Sequence, residues 1–164
     1  MTPLAAEDER EPGASTRVYA TRLARAGFLR HAVSNDIRAV ALVRAALART
    51  SALADSAFAM QGLSALPIVL HGSESQKREW LPKLEQGVLG AFALTEKEAG
   101  SDPSGMRLRA EPDGAGEYRL TGGEKTFISN AGLAEIVVVF ARTSEGRENA
   151  FSAFWWGDAL KTLG

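Results

Sequence analysis

The chain has 164 residues, which allows one domain or two small ones, and its 45% hydrophobic and 24% charged residues exclude a mainly disordered protein. Lys and Arg number 19 against 20 Asp and Glu, a net charge of -1 that is too balanced for an electrostatic grip on nucleic acid or an anionic membrane. Cysteine is absent and only His31 and His71 are present, which excludes disulfides, thiolate metal sites and Cys nucleophiles, so no metal site is expected.

Residues 1–13 carry Glu7, Asp8, Glu9 and Glu11 where a secretory signal would carry basic residues and an apolar block. This stretch reads as a disordered terminus. The longest uninterrupted apolar run, Ile136 to Ala141, falls far short of the roughly 20 residues of a membrane-crossing helix, and no span is expected. Absent signals and absent cysteine point to the cytoplasm.

Helical spacing dominates up to Gly87. A first helix is expected from Ser15 to Leu29, weakened at its end by Gly27. Ser34, Asn35 and Asp36 are N-cap candidates for a second, long helix in which Val40, Val43, Leu47, Ala54 and Phe58 share one face. Ser75 to Leu84 reads as a short helix, so residues 14–88 form a helical N-terminal domain.

After Gly87 the period becomes two. Ala91 to Thr95, Met106 to Glu111, Tyr118 to Thr121, Lys125 to Asn130 and Ile136 to Arg142 read as strands of a β-domain over residues 89–154. Pro112-Asp113-Gly114 and Gly122-Gly123 are the expected turns, the latter a hairpin. The run from Ile136 to Phe140 needs cover on both faces. Glu96, Glu98 and Asp102 have irregular loop spacing and read as solvated charge. No dinucleotide fingerprint, P-loop or nucleophile elbow is present.

Two segments carry chemistry. In Gly90 to Asp102 a strand ends at Thr95 and runs into a loop with Gly100 and Ser101. The Leu94 and Thr95 backbone and the Thr95 hydroxyl can meet a flat heteroaromatic rim, while Gly100 allows close approach and the amides beside Ser101 can cradle a phosphate. A plain inter-strand loop has the same composition. In Leu120 to Gly132, Phe127 and Ser129 lie two apart on the expected strand and so face one side, an aromatic plane beside a hydroxyl. Phe127 in the core with Ser129 incidental is the alternative.

The pair Ala93 to Asp102 (ALTEKEAGSD) and Tyr118 to Ala134 (YRLTGGEKTFISNAGLA) resembles the acyl-CoA dehydrogenase family, whose members read T-E-P-x-A-G-S-D and then G-x-K-x-[W/F]-I-[T/S]-N-[A/G]. Phe58 to Gly62 and His71 to Pro82 are similar to the family as well, and the resemblance covers roughly Arg38 to Ala153. It implies an α+β chain: an N-terminal all-helical domain followed by a partial antiparallel β-barrel domain, with the family's C-terminal helical bundle lacking. FAD is the implied cofactor, with Phe92, Leu94 and Thr95 on the flavin, Gly100 and Ser101 by the pyrophosphate, and Phe127, Ile128 and Ser129 covering and bonding the ring. Ser101 would also touch the acyl-CoA. Lys97 replaces the usual Pro and should loosen its loop.

The implied reaction is α,β-dehydrogenation of an acyl-CoA thioester, with electrons passed to an electron-transfer flavoprotein and a homo-oligomeric complete form. The base is expected in the absent C-terminal part, and no catalytic residue is assigned here. The chain thus reads as a truncated form, inactive alone. A non-catalytic acyl-CoA or partner-binding module and an acyl-CoA oxidase are the alternatives. Residues 155–164 form an atypical tail: the family continues Phe-Val-Val, and Trp155-Trp156, encoded TGGTGG, reads Val-Val with one extra G in front. A frameshift near Phe154 is the expectation, against a genuine tail whose Trp pair caps the β-domain.

Overall fold

A computed structural model describes residues 14–114, 117–144 and 150–157 of the chain. The expected disorder of residues 1–13 and the tail beyond residue 157 lie outside the described residues. Among the described residues five helices precede the strands: α1 (Ala14–Arg25), α2 (Leu29–Ala32), α3 (Ile37–Ala48), α4 (Ala52–His71) and α5 (Glu74–Glu85). Five strands follow: β1 (Gly90–Ala93), β2 (Arg109–Pro112), β3 (Tyr118–Thr121), β4 (Ile136–Arg142) and β5 (Phe151–Gly157).

Asp36 caps α3 by accepting the Arg38 and Ala39 N–H groups at 3.1 Å each. The long helix expected through Val40 and Phe58 is two helices, because Ser51 leaves helical geometry (φ -159, ψ 113) and caps a new start. Its hydroxyl accepts the Ala54 N–H at 3.2 Å and donates to Tyr19 at 3.0 Å. The apolar face survives the break. Val40, Val43 and Leu47 still pack with Phe58, Leu23 and Leu29 in one cluster, and a bidentate Arg44–Asp55 pair at 2.8 Å fastens α3 to α4. In α5, Ser73 and Gln76 make a reciprocal capping box.

Helix α4 is the hub, touching α1, α3, α5 and β1. Its 20 residues are also long and apolar enough to cross a membrane. Counting uninterrupted apolar runs misses this, because Asp55, Ser56, Gln61 and Ser64 break the sequence. Here Ala57, Phe58, Ala65 and Ile68 of α4 are buried in the chain's own core.

The sheet is open and mixed, in the order β1-β4-β2-β3 with β5 also on β4. Strand β4 has antiparallel β5 along one edge from Ile136 to Arg142. On its other edge β1 runs parallel to Ile136–Val139 and β2 takes over at Arg142. The helices-then-partial-β architecture is as expected, but β1 and β4 pair parallel because residues 94–135 form a crossover between them. Among the described strands, β2–β3 and β4–β5 are the antiparallel pairs. Cover for β4 comes from within the chain: Ile136 packs on Ala65 and Leu84, and Val137, with its strand neighbours Ala91 and Ala93, packs against Ile128 and Ala134.

Two sequence expectations fail around residue 125. Lys125 to Asn130 is no strand, since Phe127 (φ 56) and Asn130 (φ 65) are left-handed and cannot join a pleat. Gly122-Gly123 is no hairpin turn; Gly122 has φ 77, and a Cβ on Gly123 would strike the Leu108 backbone. Strand β5 runs past Phe154, pairing Trp155 with Val138 and Trp156 with Val137.

Candidate functional site

Strand β1 is positioned by a single buried side chain of α4. Gln61 Oε1 accepts the Gly90 N–H at 2.9 Å, and Gln61 Nε2 donates to the Leu84 and Val88 carbonyls. From this anchored start β1 delivers Phe92, half-buried and tilted against Phe140 with centroids 5.0 Å apart, and then Leu94 and Thr95. A tight turn follows. Glu96 and Ala99 exchange both backbone hydrogen bonds at 3.1 Å, with exposed Lys97 and Glu98 at its corners. The turn is closed with Lys97 in place of proline.

Gly100 and Ser101 come next, both exposed. A Cβ on Gly100 would meet nothing within 4 Å, so its face is open to a ligand's approach. Asp102 accepts the Ser104 N–H at 2.9 Å and opens the 3-10 turn Pro103–Gly105. Beside it a cleft of about 330 Å³ is lined by Asp102, Ser104, Arg142 and Phe151. The Arg142 guanidinium donates to the Ser104 carbonyl at 2.7 Å and lies 4.8 Å from the Phe151 ring centre.

The second segment runs alongside the first. Thr126 N–H donates to the Thr95 carbonyl at 2.9 Å, which joins the two segments. Phe127, in its left-handed backbone, is 94% exposed. Ile128 packs on Ala91, Ala93 and Val137, and Ser129 is exposed. The expected pairing of Phe127 and Ser129 on one strand face does not occur, because the strand itself is replaced by turns. Asn130 ends the loop: its side-chain amide donates to the Gly90 carbonyl at 3.1 Å, and its carbonyl accepts the Leu133 and Ala134 N–H groups. Arg17 of α1 donates to the Leu133 carbonyl at 3.1 Å and ties the same loop to the helical half.

The carbonyls at the strand end are already bonded, against expectation. The Leu94 carbonyl accepts Lys125 Nζ at 2.9 Å and the Thr95 carbonyl accepts Thr126 N–H, so neither faces a ligand rim unbonded. Glu96 also departs from expectation. It is not solvated loop charge but only 5% exposed, accepting the Arg107 N–H at 2.7 Å, the Leu108 N–H at 3.0 Å and Lys125 Nζ at 2.9 Å. Burial alone would raise the Glu96 carboxyl, yet those three donors together hold it below the ordinary glutamate value. Burial pushes the Lys125 ammonium down, against the pull of Glu96. Nothing in a loop's spacing announces such a pair, because burial there follows from tertiary packing and not from periodicity. Glu98 and Asp102 are exposed as expected.

Among the described residues, then, the segment that follows β1 and the loop bonded to it through Thr126 present an exposed aromatic ring, two exposed serines and an open glycine loop. That set fits a flat heteroaromatic group carrying phosphates: the ring can cover a plane, and the Gly100–Ser101 amides can meet an anion.

The acyl-CoA dehydrogenase N-terminal domain model matches residues 1–88 and the acyl-CoA dehydrogenase middle domain model matches residues 91–159. The chain belongs to the acyl-CoA dehydrogenase family. A probable acyl-CoA dehydrogenase of Bacillus subtilis is 38% identical over 112 residues, covering 68% of this chain and 19% of that protein. The mitochondrial very long-chain specific acyl-CoA dehydrogenase of Macaca fascicularis is 45% identical over 86 residues, 52% of this chain and 13% of that protein. Among solved structures, a Bacillus anthracis acyl-CoA dehydrogenase complexed with FAD superposes with a TM-score of 0.77 at 30% identity, covering 94% of this chain and 28% of that one. This chain therefore spans less than a third of each of these relatives. FAD is the cofactor of the family fold seen in that complex, and the residues at the end of β1 fit it.

Proposed function

We propose that this chain supplies the flavin-facing and part of the acyl-CoA-facing surface of an enzyme that performs α,β-dehydrogenation of an acyl-CoA thioester. The observation that carries this reading is the 94% exposed Phe127 ring, held in left-handed backbone directly after Thr126, whose N–H bonds the Thr95 carbonyl. An aromatic residue is placed this way at a cost in both solvation and backbone energy, which a covering role over a planar ligand offsets.

Bound FAD supplies the hydride acceptor, chemistry that belongs to the cofactor. The chain's own residues bind and orient. Phe92, Leu94 and Ile128 form the apolar support, Phe127 covers the ring, and the Thr95 and Ser129 hydroxyls bond its edge. Gly100 and Ser101 meet the pyrophosphate, and Ser101 also reaches the acyl-CoA. No carboxylate of this chain is assigned the base. Delivery of electrons to an electron-transfer flavoprotein, a homo-oligomeric complete form and a cytoplasmic location belong to the same proposal, the last resting on the absence of cysteine.

Calorimetric titration of the purified chain with FAD tests this reading. Saturable binding with a flavin absorbance band that co-migrates with the protein is expected. A colourless chain that still binds acyl-CoA would favour a non-catalytic binding module instead.

A further inference from the structure

We propose that Lys125 is a positioning residue for the flavin site: by bridging the Leu94 carbonyl and the Glu96 carboxylate it holds the Thr126–Asn130 loop in a conformation that the loop would not keep alone. This rests on the functional reading above and deepens it.

The loop is strained in three ways. Phe127 and Asn130 both occupy left-handed backbone, uncommon for any side chain and least suited to a bulky aromatic. Between β3 and β4 these two fall within four residues of each other. The Thr126 hydroxyl is buried with no hydrogen-bond partner among the described residues. Features like these persist only where the surroundings over-determine them.

The fastenings are visible. At the loop's far end Asn130 holds the Gly90 carbonyl, and Arg17 holds Leu133. At its near end stand the Thr126–Thr95 backbone bond and Lys125. Of these, only Lys125 brings charge to a dry place, its side chain 10% exposed and that of Glu96 5%. Glu96 is in turn pinned by the Arg107 and Leu108 N–H groups, so Lys125 is referred to the approach of β2 as well as to the end of β1. Charge-assisted bonds shielded from solvent are the strongest available here, and they act at the residue next to Thr126. Lys125 points inward to Leu94 and Glu96. It acts on the ligand only through the loop that displays Phe127.

The test compares Lys125→Met, Lys125→Arg and the core control Phe58→Leu in the full chain. FAD affinity is read by calorimetry, and hydrogen exchange over residues 126–134 is read in the ligand-free protein. Lys125→Met is expected to weaken FAD binding about tenfold, the equivalent of one strong hydrogen bond, and to speed exchange in that loop. Lys125→Arg restores most of both. Phe58→Leu lowers overall stability and changes neither. Wild-type exchange in the Lys125→Met loop overturns the proposal, as do effects on loop and affinity that Phe58→Leu reproduces. If wild-type protein binds no FAD, the functional reading fails and the exchange measurement alone decides the role of Lys125. Should Lys125→Met not fold, Glu96→Gln weakens the same bridge while keeping the shape, with the same expected directions.

Discussion

Gln61 accepts the Gly90 N–H at 2.9 Å and donates to the Leu84 and Val88 carbonyls at 3.1 and 2.7 Å, so one side chain satisfies three backbone groups where the helices hand over to the sheet. It is fully buried, and water has no ready access to replace it. Gln61→Met keeps the volume and removes all three bonds. With roughly 1–3 kcal/mol for each buried group left unpaired, and some relaxation, a loss of about 2–5 kcal/mol is expected from urea unfolding. A loss below about 0.5 kcal/mol, the range of a neutral surface change, would show that the junction is held by something else.

Gly90 is the partner in that bond, and it tolerates no larger residue. A Cβ there would lie 2.5 Å from both Cβ and Oγ of Ser64 and 3.1 Å from Leu84 Cδ2. Gly90→Ala is expected to destabilise by about 1–3 kcal/mol through overpacking of α4 against β1. Ser64→Gly added to it should recover part of the loss, since it removes the two nearest atoms. A purely additive double variant would place the clash elsewhere.

The helices were legible because apolar spacing and caps are local. Asp36 and the Val40–Leu47 face needed no tertiary knowledge, whereas the break at Ser51 hid inside a continuous apolar face and is explained by a capping serine that also bonds Tyr19. The two segments of the site were legible as segments, and Ile136 to Arg142 as a strand. Their geometry was not. Alternation suggested a strand through Phe127, but the left-handed backbone there is a tertiary choice, with Lys125 and Asn130 bonded to the Leu94 and Gly90 carbonyls and Arg17 of α1 bonded to Leu133. Glu96 shows the same limit: a charged loop residue reads as solvated until three donors arrive from residues 107, 108 and 125. Gln61 gave no sign at all, because a polar residue within an apolar helix does not announce which backbone groups it will meet.

Acid should unfold this protein partly through Glu96. Its folded-state carboxyl lies below the unfolded value of 4.5, so the stability it contributes is fully present above pH 4.5 and is lost as pH falls through the folded value. Asp55, lowered from 3.8 by its hydrogen bonds to Arg44, adds a more solvent-screened part that is fully present above pH 3.8 and lost as pH falls through its folded value. Glu96→Gln is expected to flatten the acid limb of a stability-against-pH curve. At pH 7 it should cost about 3–5 kcal/mol, since the buried Lys125 ammonium loses its counter-charge. An unchanged acid limb in this variant would mean that Glu96 is solvated in solution.

The exposed ring makes a prediction that separates stability from binding. Because Phe127 is 94% exposed and left-handed, Phe127→Gly relieves backbone strain while burying nothing less, and its stability should equal or exceed that of the wild type. FAD affinity should nevertheless fall, and by more than in Thr95→Ala or Ser129→Ala, each of which removes one hydroxyl bond of about 0.5–1.5 kcal/mol. Calorimetry with FAD and urea unfolding on the same samples give both numbers. Unchanged affinity in all three variants would move the cofactor away from this face.

Lys97 occupies the first corner of the turn that Glu96 and Ala99 close with two 3.1 Å hydrogen bonds. Proline suits that corner, since its fixed φ near -65° is what the common turns require and its missing N–H forfeits nothing: among the described residues the Lys97 N–H makes no hydrogen bond. The preceding residue must then be extended, and Glu96 meets this by bridging Lys125 in antiparallel fashion. Lys97→Pro is therefore expected to stabilise the chain by about 0.4–1 kcal/mol, chiefly by narrowing the unfolded ensemble. The urea midpoint should rise at constant slope, and the loop carrying Gly100 and Ser101 should exchange its amides more slowly. A lower midpoint would mean that the turn's first corner departs from proline geometry and that lysine is there for its backbone freedom.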